Sequence, residues 1–180
     1  MKRLTKVALI TAMALLIVQS SGYAFQTSKA STAKENKPSA NYGKYDFSFT
    51  TLDGKTLRLS DYAGKVVLVN IWAPWCGPCR SETPGFVNVY KEYKDRGFEI
   101  LSVAVNTIES DVRSFIQKYS VQWPVGIKDE VARAYGTYGI PDNYLFRPDG
   151  SLIRRFIGYT KDEALRPLLE ESLKFVSKSK

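Results

Sequence analysis

The only two cysteines of the chain, Cys76 and Cys79, are separated by two residues and closely follow a long hydrophobic run. That run, residues 66–72, is apolar almost throughout, which is typical of a central β-strand buried on both faces. A polar, helix-compatible segment follows the cysteines. Two thiols with this spacing at a strand-to-helix corner can form and break a disulfide with little backbone movement, so the pattern indicates a dithiol redox centre.

Two other uses of the cysteine pair compete with redox chemistry. A zinc site needs about four ligands from cysteine, histidine or carboxylate groups, whereas the chain has no histidine and no third cysteine. A purely structural disulfide stays open as an alternative, although so short a loop contributes only about 2 kcal/mol in the loop-entropy description. A domain of this length also has enough core without it. Redox chemistry is the favoured interpretation, and we expect neither a metal nor another cofactor.

The first 24 residues have the pattern of a secretory signal peptide. Three basic residues precede the apolar run 7–18, and Gly22 and Ala24 are small residues suited to cleavage after position 24. The run is shorter than the ~20 residues of a membrane span, although an uncleaved anchor remains open. We therefore expect a periplasmic or otherwise extracytoplasmic protein, whose cysteines can be oxidised and must be kept reduced by a partner.

The next segment, 25–43, is polar almost throughout and is predicted to be a flexible linker. Residues 44–180 are long enough for one domain. The formal net charge is +8, and removal of the predicted signal peptide, which carries three basic residues and no acidic one, lowers it to +5. These charges are scattered, without a basic stripe interleaved with aromatic residues, which argues against a nucleic-acid partner.

Strand and helix patterns alternate along the domain. An N-terminal hairpin, 45–52 and 56–59, turns at Asp53-Gly54, and a closing hairpin, 143–147 and 152–157, turns at 148–150. The remaining predicted strands are 66–72, 98–105 and 123–127, and the predicted helices run from the cysteines to about Arg96 and over 110–119, 129–135 and 161–176. This order predicts an α/β, three-layer fold: a mixed central sheet with helices on both faces and an added N-terminal β-hairpin.

Several short motifs occur in a characteristic order: Asp53-Gly54-Lys55, 64–70, 72–80, Glu82 with Pro84, Tyr135-Gly136, Gly139-Ile140-Pro141 and Asp149-Gly150. Together they resemble the thioredoxin superfamily, and specifically its exported TlpA/ResA-like branch of redoxin or AhpC/TSA-like domains. The resemblance covers roughly residues 44–176. It implies a thioredoxin-like fold and the activity of a thiol-disulfide oxidoreductase.

The resemblance and helix electrostatics agree on how the cysteines work. Cys76 lies just before the predicted helix, where unpaired N–H groups and the helix dipole favour a thiolate, so it is expected to be the exposed, attacking sulfur. Cys79, one turn inside the helix, is expected to be shielded and to resolve the mixed disulfide. Pro78 is tolerated between them because the first helical turn needs no N–H donor.

Five residues are predicted to bind the substrate: Trp75, Gly77, Pro78, Ile140 and Pro141. The resemblance implies a cis peptide bond before Pro141, which would place the Ile140 backbone beside Cys76 for pairing with a client strand; a trans turn proline is the alternative. Trp75 is expected to pack beside the thiol and to shape this surface. The Gly-Pro dipeptide is that of thioredoxin, whose potential of about −270 mV is far more reducing than that of DsbA, about −120 mV, which favours a reductant.

Two carboxylates near these motifs are candidates for a role. Glu82 follows Cys79 by three residues on the same helix face, and the resemblance implies that it takes the Cys79 proton, because Asn70 stands where thioredoxin has a buried acid. A surface glutamate is the alternative for Glu82. Asp142 replaces a threonine that is usual in the branch, and we expect it either near the substrate groove, raising the Cys76 pKa or selecting a basic partner, or in a loop facing water.

The combined prediction is an exported, monomeric protein-disulfide reductase. Oxidised proteins such as apocytochrome c are the expected clients, and a membrane reductase with its own dithiol is the expected electron donor. A disulfide-donating oxidase is the main alternative. A thiol peroxidase is disfavoured because its motif carries a threonine three residues before the reactive cysteine, where this chain has Ala73. A binding module with an inert disulfide is the remaining alternative.

Overall fold

The computed structural model describes residues 39–176, which form a mixed α/β domain. The predicted signal peptide and most of the predicted linker lie outside these residues. In chain order the elements are β1 (Ser48–Thr50), β2 (Thr56–Arg58), β3 (Val66–Trp72), α1 (Gly77–Tyr93), β4 (Phe98–Ala104), α2 (Glu109–Tyr119), β5 (Val125–Ile127), α3 (Asp129–Tyr135), β6 (Asp142–Phe146), β7 (Leu152–Ile157) and α4 (Asp162–Val176). Within this range, no helix has both the length and the apolar character needed to cross a membrane.

Strand β3 is the middle strand of a five-stranded sheet with the order β5-β4-β3-β6-β7. β4 runs parallel to both β3 and β5, whereas β6 runs antiparallel to β3 and to β7. Every residue of β3 is buried, as expected for an apolar strand covered on both faces. β1 and β2 form a separate antiparallel hairpin. The predicted mixed sheet and added N-terminal hairpin are therefore confirmed.

The two faces of the sheet pack against different helices. Val66 and Leu68 of β3 belong to a core cluster that includes residues of α1, α2 and α4. Val67 and Val69 belong to a second cluster with α3 and the segment before β3. Because successive side chains of a strand point to opposite faces, the parity of a residue number in β3 decides which layer it contacts.

Most element boundaries agree with the predictions to within two residues. The helix after the cysteines ends at Tyr93, and a 3-10 turn, Lys94–Arg96, carries the chain to Gly97, whose φ of 99° suits a residue without a side chain. The first predicted strand, 45–52, is wrong in length, because Gly43–Tyr45 forms a 3-10 turn and pairing with β2 spans only β1.

The predicted boundary between linker and domain lies slightly too late in the chain. The Asn41 N–H donates to the Asp149 carbonyl oxygen over 2.8 Å. Tyr42 is 3% exposed, and its ring packs edge-on against Phe146. Gly150 permits this contact, since a Cβ at that position would lie 2.6 Å from the Asn41 backbone. The packed domain therefore includes residues 41–43, although the sequence pattern placed them in the predicted linker, 25–43.

Candidate active site

The two cysteines are joined by a disulfide at the N-terminus of α1. Cys76 is the residue that caps the helix, and its Sγ accepts a hydrogen bond from the Cys79 N–H over 3.2 Å. Gly77 and Pro78 begin the helix, where the missing N–H of proline costs no intrahelical bond. The N–H groups of a first turn stabilise negative charge, so a reduced Cys76 lies in a position that favours the thiolate.

Both cysteines are buried in the disulfide form. Cys79 is 1% exposed, as predicted, but Cys76 is only 4% exposed, so the prediction of an exposed Cys76 is wrong for this oxidised state. The bond to Cys79 covers one side of the Cys76 sulfur, and the carbonyl oxygen of Ile140 lies 3.6 Å from it on another. A disulfide sulfur carries no proton, so this short approach becomes a possible hydrogen bond only when Cys76 is a thiol.

The Ile140–Pro141 peptide bond is cis, as predicted. It lies directly before β6, and Pro141 is buried while Ile140 is half-buried. The Pro141 carbonyl oxygen accepts a hydrogen bond from the Gly158 N–H over 2.8 Å, which ties this loop to the end of β7. The cis proline loop and the disulfide are therefore neighbours, although 64 residues separate them in sequence.

Trp75 lies on the outside of the site. Its side chain is 57% exposed, and its Nε1–H donates to the Asn106 carbonyl oxygen over 2.9 Å. The Asn106 N–H in turn donates to Asp129 Oδ1. Gly77 and Pro78 are also exposed, so these three predicted substrate-binding residues form an accessible surface next to the buried disulfide.

Glu82 is buried one helical turn after Cys79, with 2% of its surface exposed. It shares a helix face with the apolar residues Phe86, Val89 and Tyr93, and this face packs into the core. The alternative of a surface glutamate is therefore wrong. No ion pair found within 39–176 includes Glu82, so its carboxyl group depends on neutral hydrogen-bond donors.

Three residues from three parts of the fold donate to the Glu82 carboxyl group. Asn70 Nδ2 lies 3.2 Å from Oε1, and Asn143 Nδ2 lies 3.3 Å from Oε1 and 3.2 Å from Oε2. The Thr160 N–H, just before α4, lies 3.0 Å from Oε2. Burial raises the pKa of Glu82 to about 7, because desolvation of the carboxylate outweighs the lowering effect of these donors. A carboxyl group with this pKa can accept and release a proton near neutral pH.

Comparison with known proteins decides the family. Residues 44–155 match the AhpC/TSA family. The chain is 31% identical over 165 residues to the thiol-disulfide oxidoreductase ResA of Bacillus cereus, covering 91% of this chain and 93% of the relative. It is 33% identical over 181 residues to ResA of Geobacillus kaustophilus, covering 97% and 99%. The chain belongs to the AhpC/TSA family.

The fold and the general activity agree with this assignment. A crystal structure of a thiol:disulfide interchange protein of the thioredoxin family from Chlorobium tepidum superposes with a TM-score of 0.66 at 29% identity, covering 76% of this chain and 97% of that one. The predicted thioredoxin-like fold is therefore confirmed. The protein is a thiol-disulfide oxidoreductase of the ResA type, with its Cys-x-x-Cys pair at the start of α1.

The expectation that Asp142 faces either the substrate groove or water is wrong. Asp142 is fully buried and forms an ion pair with Arg155, whose Nη2 lies 2.6 Å from Oδ2. Thr137 and Tyr144 also donate to the same carboxylate. The physical reason is strand alternation. Tyr144 belongs to the core cluster of the opposite face, so Asp142 points away from the layer that contains α1 and the disulfide.

Asn143, the next residue, points to the α1 side and completes the Glu82 site. It was not predicted as a site residue, nor were Thr160 and Ser102. A signal exists in the sequence, because Asn70, Ser102 and Asn143 are polar residues inside otherwise apolar strands. The pairing of β3 with β6 places Asn70 opposite Asn143, and the pairing of β3 with β4 places Asn70 opposite Ser102. The sequence does not reveal this register, so their meeting was not foreseen.

Proposed function

We propose that this protein reduces disulfide bonds of client proteins outside the cytoplasm. Cys76 acts as the attacking thiolate, Cys79 as the resolving thiol and Glu82 as the base that takes the Cys79 proton. The observation that carries the proposal is the buried, uncharged setting of Glu82 one turn after Cys79. A carboxyl group in that setting has little structural value, since burying it without a cation costs free energy.

The reaction proceeds by two thiol–disulfide exchanges. The Cys76 thiolate attacks one sulfur of the client disulfide, the client S–S bond breaks, and one client thiolate leaves. Glu82 then takes the proton from the Cys79 thiol. The Cys79 thiolate attacks the Cys76 sulfur and breaks the mixed disulfide, so the second client thiolate leaves. Two electrons pass to the client, and the pair ends as the Cys76–Cys79 disulfide.

The client binds at the surface formed by Trp75, Gly77 and Pro78 on one side and the Ile140–Pro141 loop on the other. The exposure of the first three residues supports this role. An extended client segment beside the Cys76 sulfur lies close to the Ile140 carbonyl oxygen, which can accept a main-chain hydrogen bond from it. The Trp75 ring offers apolar contact area next to the sulfur.

The predicted signal peptide supports export, and apocytochrome c with oxidised haem-binding thiols is one proposed client. In an oxidising compartment the Cys76–Cys79 disulfide must be reduced again after each turnover, so a membrane reductase with its own dithiol is the proposed electron donor. The protein is proposed to act as a monomer, without a cofactor other than its own cysteine pair.

The midpoint potential of the cysteine pair tests the direction of electron flow. The protein is equilibrated with glutathione or dithiothreitol buffers, and free thiols are trapped and counted. We expect a value of about −250 mV or lower, as the Gly77-Pro78 dipeptide indicates. A value near about −120 mV would contradict the reductase and favour the disulfide-donating oxidase.

Substitution of Glu82 tests the proposed base. Because a positioned general base contributes about 100-fold or more, Glu82→Gln is expected to slow client reduction at neutral pH by roughly that factor. Glu171→Gln, at an exposed position of α4, is the matched control and is expected to keep the wild-type rate. A Glu82→Gln protein that reduces clients as fast as the control would overturn the role of Glu82.

A further inference from the structure

A chain of buried hydrogen bonds leads from Glu82 to an indole group behind the active site. The Trp123 Nε1–H donates to Ser102 Oγ over 2.8 Å, and the Ser102 hydroxyl donates to Asn70 Oδ1 over 2.9 Å. Asn70 Nδ2 donates to Glu82 Oε1. Asn70, Ser102 and Trp123 are 5%, 2% and 7% exposed, so all three residues are buried. This series of hydrogen bonds therefore connects β3, β4 and the residue two positions before β5 with one carboxyl group.

The indole group of Trp123 determines the donor-to-acceptor direction of this series of hydrogen bonds. An indole N–H is a donor only, so Trp123 occupies an acceptor site of the Ser102 oxygen. Ser102 has one hydroxyl proton, and that proton is directed to its other partner, Asn70. Asn70 must therefore turn its carbonyl oxygen toward Ser102 and its NH₂ group toward Glu82.

The reversed amide of Asn70 would meet acceptors on its other side. Asn70 Nδ2 also donates to Asn143 Oδ1 over 2.7 Å. A rotation of the Asn70 amide by half a turn would place its oxygen against that oxygen and against the Glu82 carboxylate, leaving buried acceptors without donors. With Asn70 in its observed orientation, Asn143 Oδ1 is satisfied and the Asn143 NH₂ group is free to donate to Glu82 and to Thr160 Oγ1.

We infer that Ser102 and Trp123 are positioning residues that orient the Asn70 amide, so that the Glu82 carboxyl group receives only hydrogen-bond donors from the sheet. Neither residue contacts Glu82 in any hydrogen bond found within 39–176. Their effect on Glu82 follows from geometry alone, whereas their effect on client reduction rests on the proposed function of Glu82.

The surroundings of Glu82 make its proton affinity sensitive to this orientation. The groups that face its carboxyl group are neutral: Asn70 from β3, Asn143 from β6 and the Thr160 N–H before α4. No charged neighbour contributes to its shifted pKa. At the start of α1, the thiols of Cys76 and Cys79 are the other titratable groups of the site, and they do not titrate in the disulfide form. Loss of one oriented donor therefore favours the protonated carboxyl group.

Titration of Glu82 in the oxidised, full-length protein tests this inference. The ¹³C signal of the Glu82 carboxyl carbon is followed by NMR in wild type, Ser102→Ala and Trp123→Phe. We expect the Glu82 pKa to rise by about one unit in both variants, the size of a lost hydrogen bond to a charged group. Ser172→Ala changes a buried serine of α4 that is not part of this series of hydrogen bonds. It is the matched control and is expected to leave the Glu82 pKa unchanged.

An unchanged Glu82 pKa in a folded Ser102→Ala or Trp123→Phe protein would overturn the inference. Trp123→Phe keeps a ring against Tyr90, so it decides the question if Ser102→Ala does not fold. If neither variant folds, a measurement on the wild-type protein replaces them. The NMR signals of the Asn70 side-chain amide protons must shift as Glu82 titrates. Signals that do not shift would indicate the reversed amide and overturn the inference.

The pH profile of client reduction separates this inference from the proposed function. If both hold, the profile of Ser102→Ala moves toward alkaline pH by the same amount as the Glu82 pKa, because more alkaline solution is needed to ionise the base. A raised Glu82 pKa with an unmoved rate profile would leave the positioning role intact and contradict Glu82 as the base.

Discussion

The side-chain amides of Asn70 and Asn143 meet across the antiparallel pair of β3 and β6, with 2.7 Å between Asn70 Nδ2 and Asn143 Oδ1. This contact arranges both amides around one carboxyl group, since each then has an NH₂ hydrogen directed at Glu82. A carboxyl group held by amides rather than by cations stays partly protonated near neutral pH. The consequences extend to stability as well as to catalysis.

Stability of the oxidised protein is expected to fall as the pH rises. The Glu82 pKa is about 7 in the folded protein against 4.5 ordinarily, so between these values the folded state holds a proton that the unfolded state has lost. The free energy of unfolding then decreases with pH across this window, by about 3 kcal/mol in total, and levels off above about pH 7. The chain has no histidine, so few other groups titrate in this range. Urea unfolding at about pH 5 and pH 8 measures the difference.

Glu82→Gln supplies the control for this pH dependence. The neutral amide cannot ionise, so the decrease in unfolding free energy between these two pH values is expected to disappear in the variant. A decrease of the same size in Glu82→Gln would assign the pH dependence to other groups.

The two cysteines are expected to differ in their ability to trap clients. Cys79→Ser leaves Cys76 to attack but removes the resolving thiol, so covalent Cys76–client disulfides accumulate. Cys76→Ser removes the attacking thiol at the helix N-terminus and is expected to trap little, because Cys79 lies one turn inside α1, where the helix terminus favours a thiolate less. Non-reducing electrophoresis of each variant after incubation with an oxidised client shows the adducts. Equal trapping by both variants would contradict the assignment of Cys76 as the attacking residue.

Removal of the Asp142 carboxylate is expected to destabilise the domain. Asp142→Ala leaves Arg155 partly buried without its counter-ion and leaves Thr137 without its acceptor, whereas the Tyr144 hydroxyl keeps the Tyr135 carbonyl oxygen. Because Arg155 keeps partial access to solvent, we expect a loss of about 2–4 kcal/mol, measured by urea unfolding. Asp53→Ala, which removes an exposed ion pair with Lys55, is the comparison variant and is expected to have a much smaller effect. A similar loss of unfolding free energy in both variants would contradict the expectation that the burial of Asp142 makes its ion pair more important for stability.

Truncation of Trp75 is expected to weaken client binding without altering the redox pair. The ring is largely exposed and contacts the Asn106 backbone, so Trp75→Ala removes apolar surface beside Cys76 and leaves the core intact. We expect the KM for a protein client to rise about tenfold, as for an interface tryptophan of moderate importance. The rate of Cys76–Cys79 reduction by dithiothreitol is expected to stay the same. A change in that rate with an unchanged KM would contradict a client-binding role.

Local patterns in the sequence were sufficient for the architecture and for part of the site. The cis bond before Pro141 was implied by the family resemblance, whereas the seven-residue apolar run predicted the buried strand β3 and helical periodicity predicted α1. These features depend on residues close together in the chain, whose propensities and spacing are visible in one dimension. The proximity of the disulfide to the cis proline was inferred from resemblance, and the geometry agrees with it.

The polar surroundings of the site were decided by the tertiary structure alone. Whether Glu82 is buried, and whether Asn70, Ser102 and Asn143 meet beside it, depends on strand register between segments far apart in sequence. Asp142 shows the same dependence, because neighbouring residues of β6 point to opposite faces of the sheet. Asn143 therefore lies on the α1 side, and Asp142 lies on the other side. The sequence by itself determined the cysteine pair, the order of elements and the redox class. The register of the folded sheet decided which polar residues surround the base, because that register is set by packing over the whole domain.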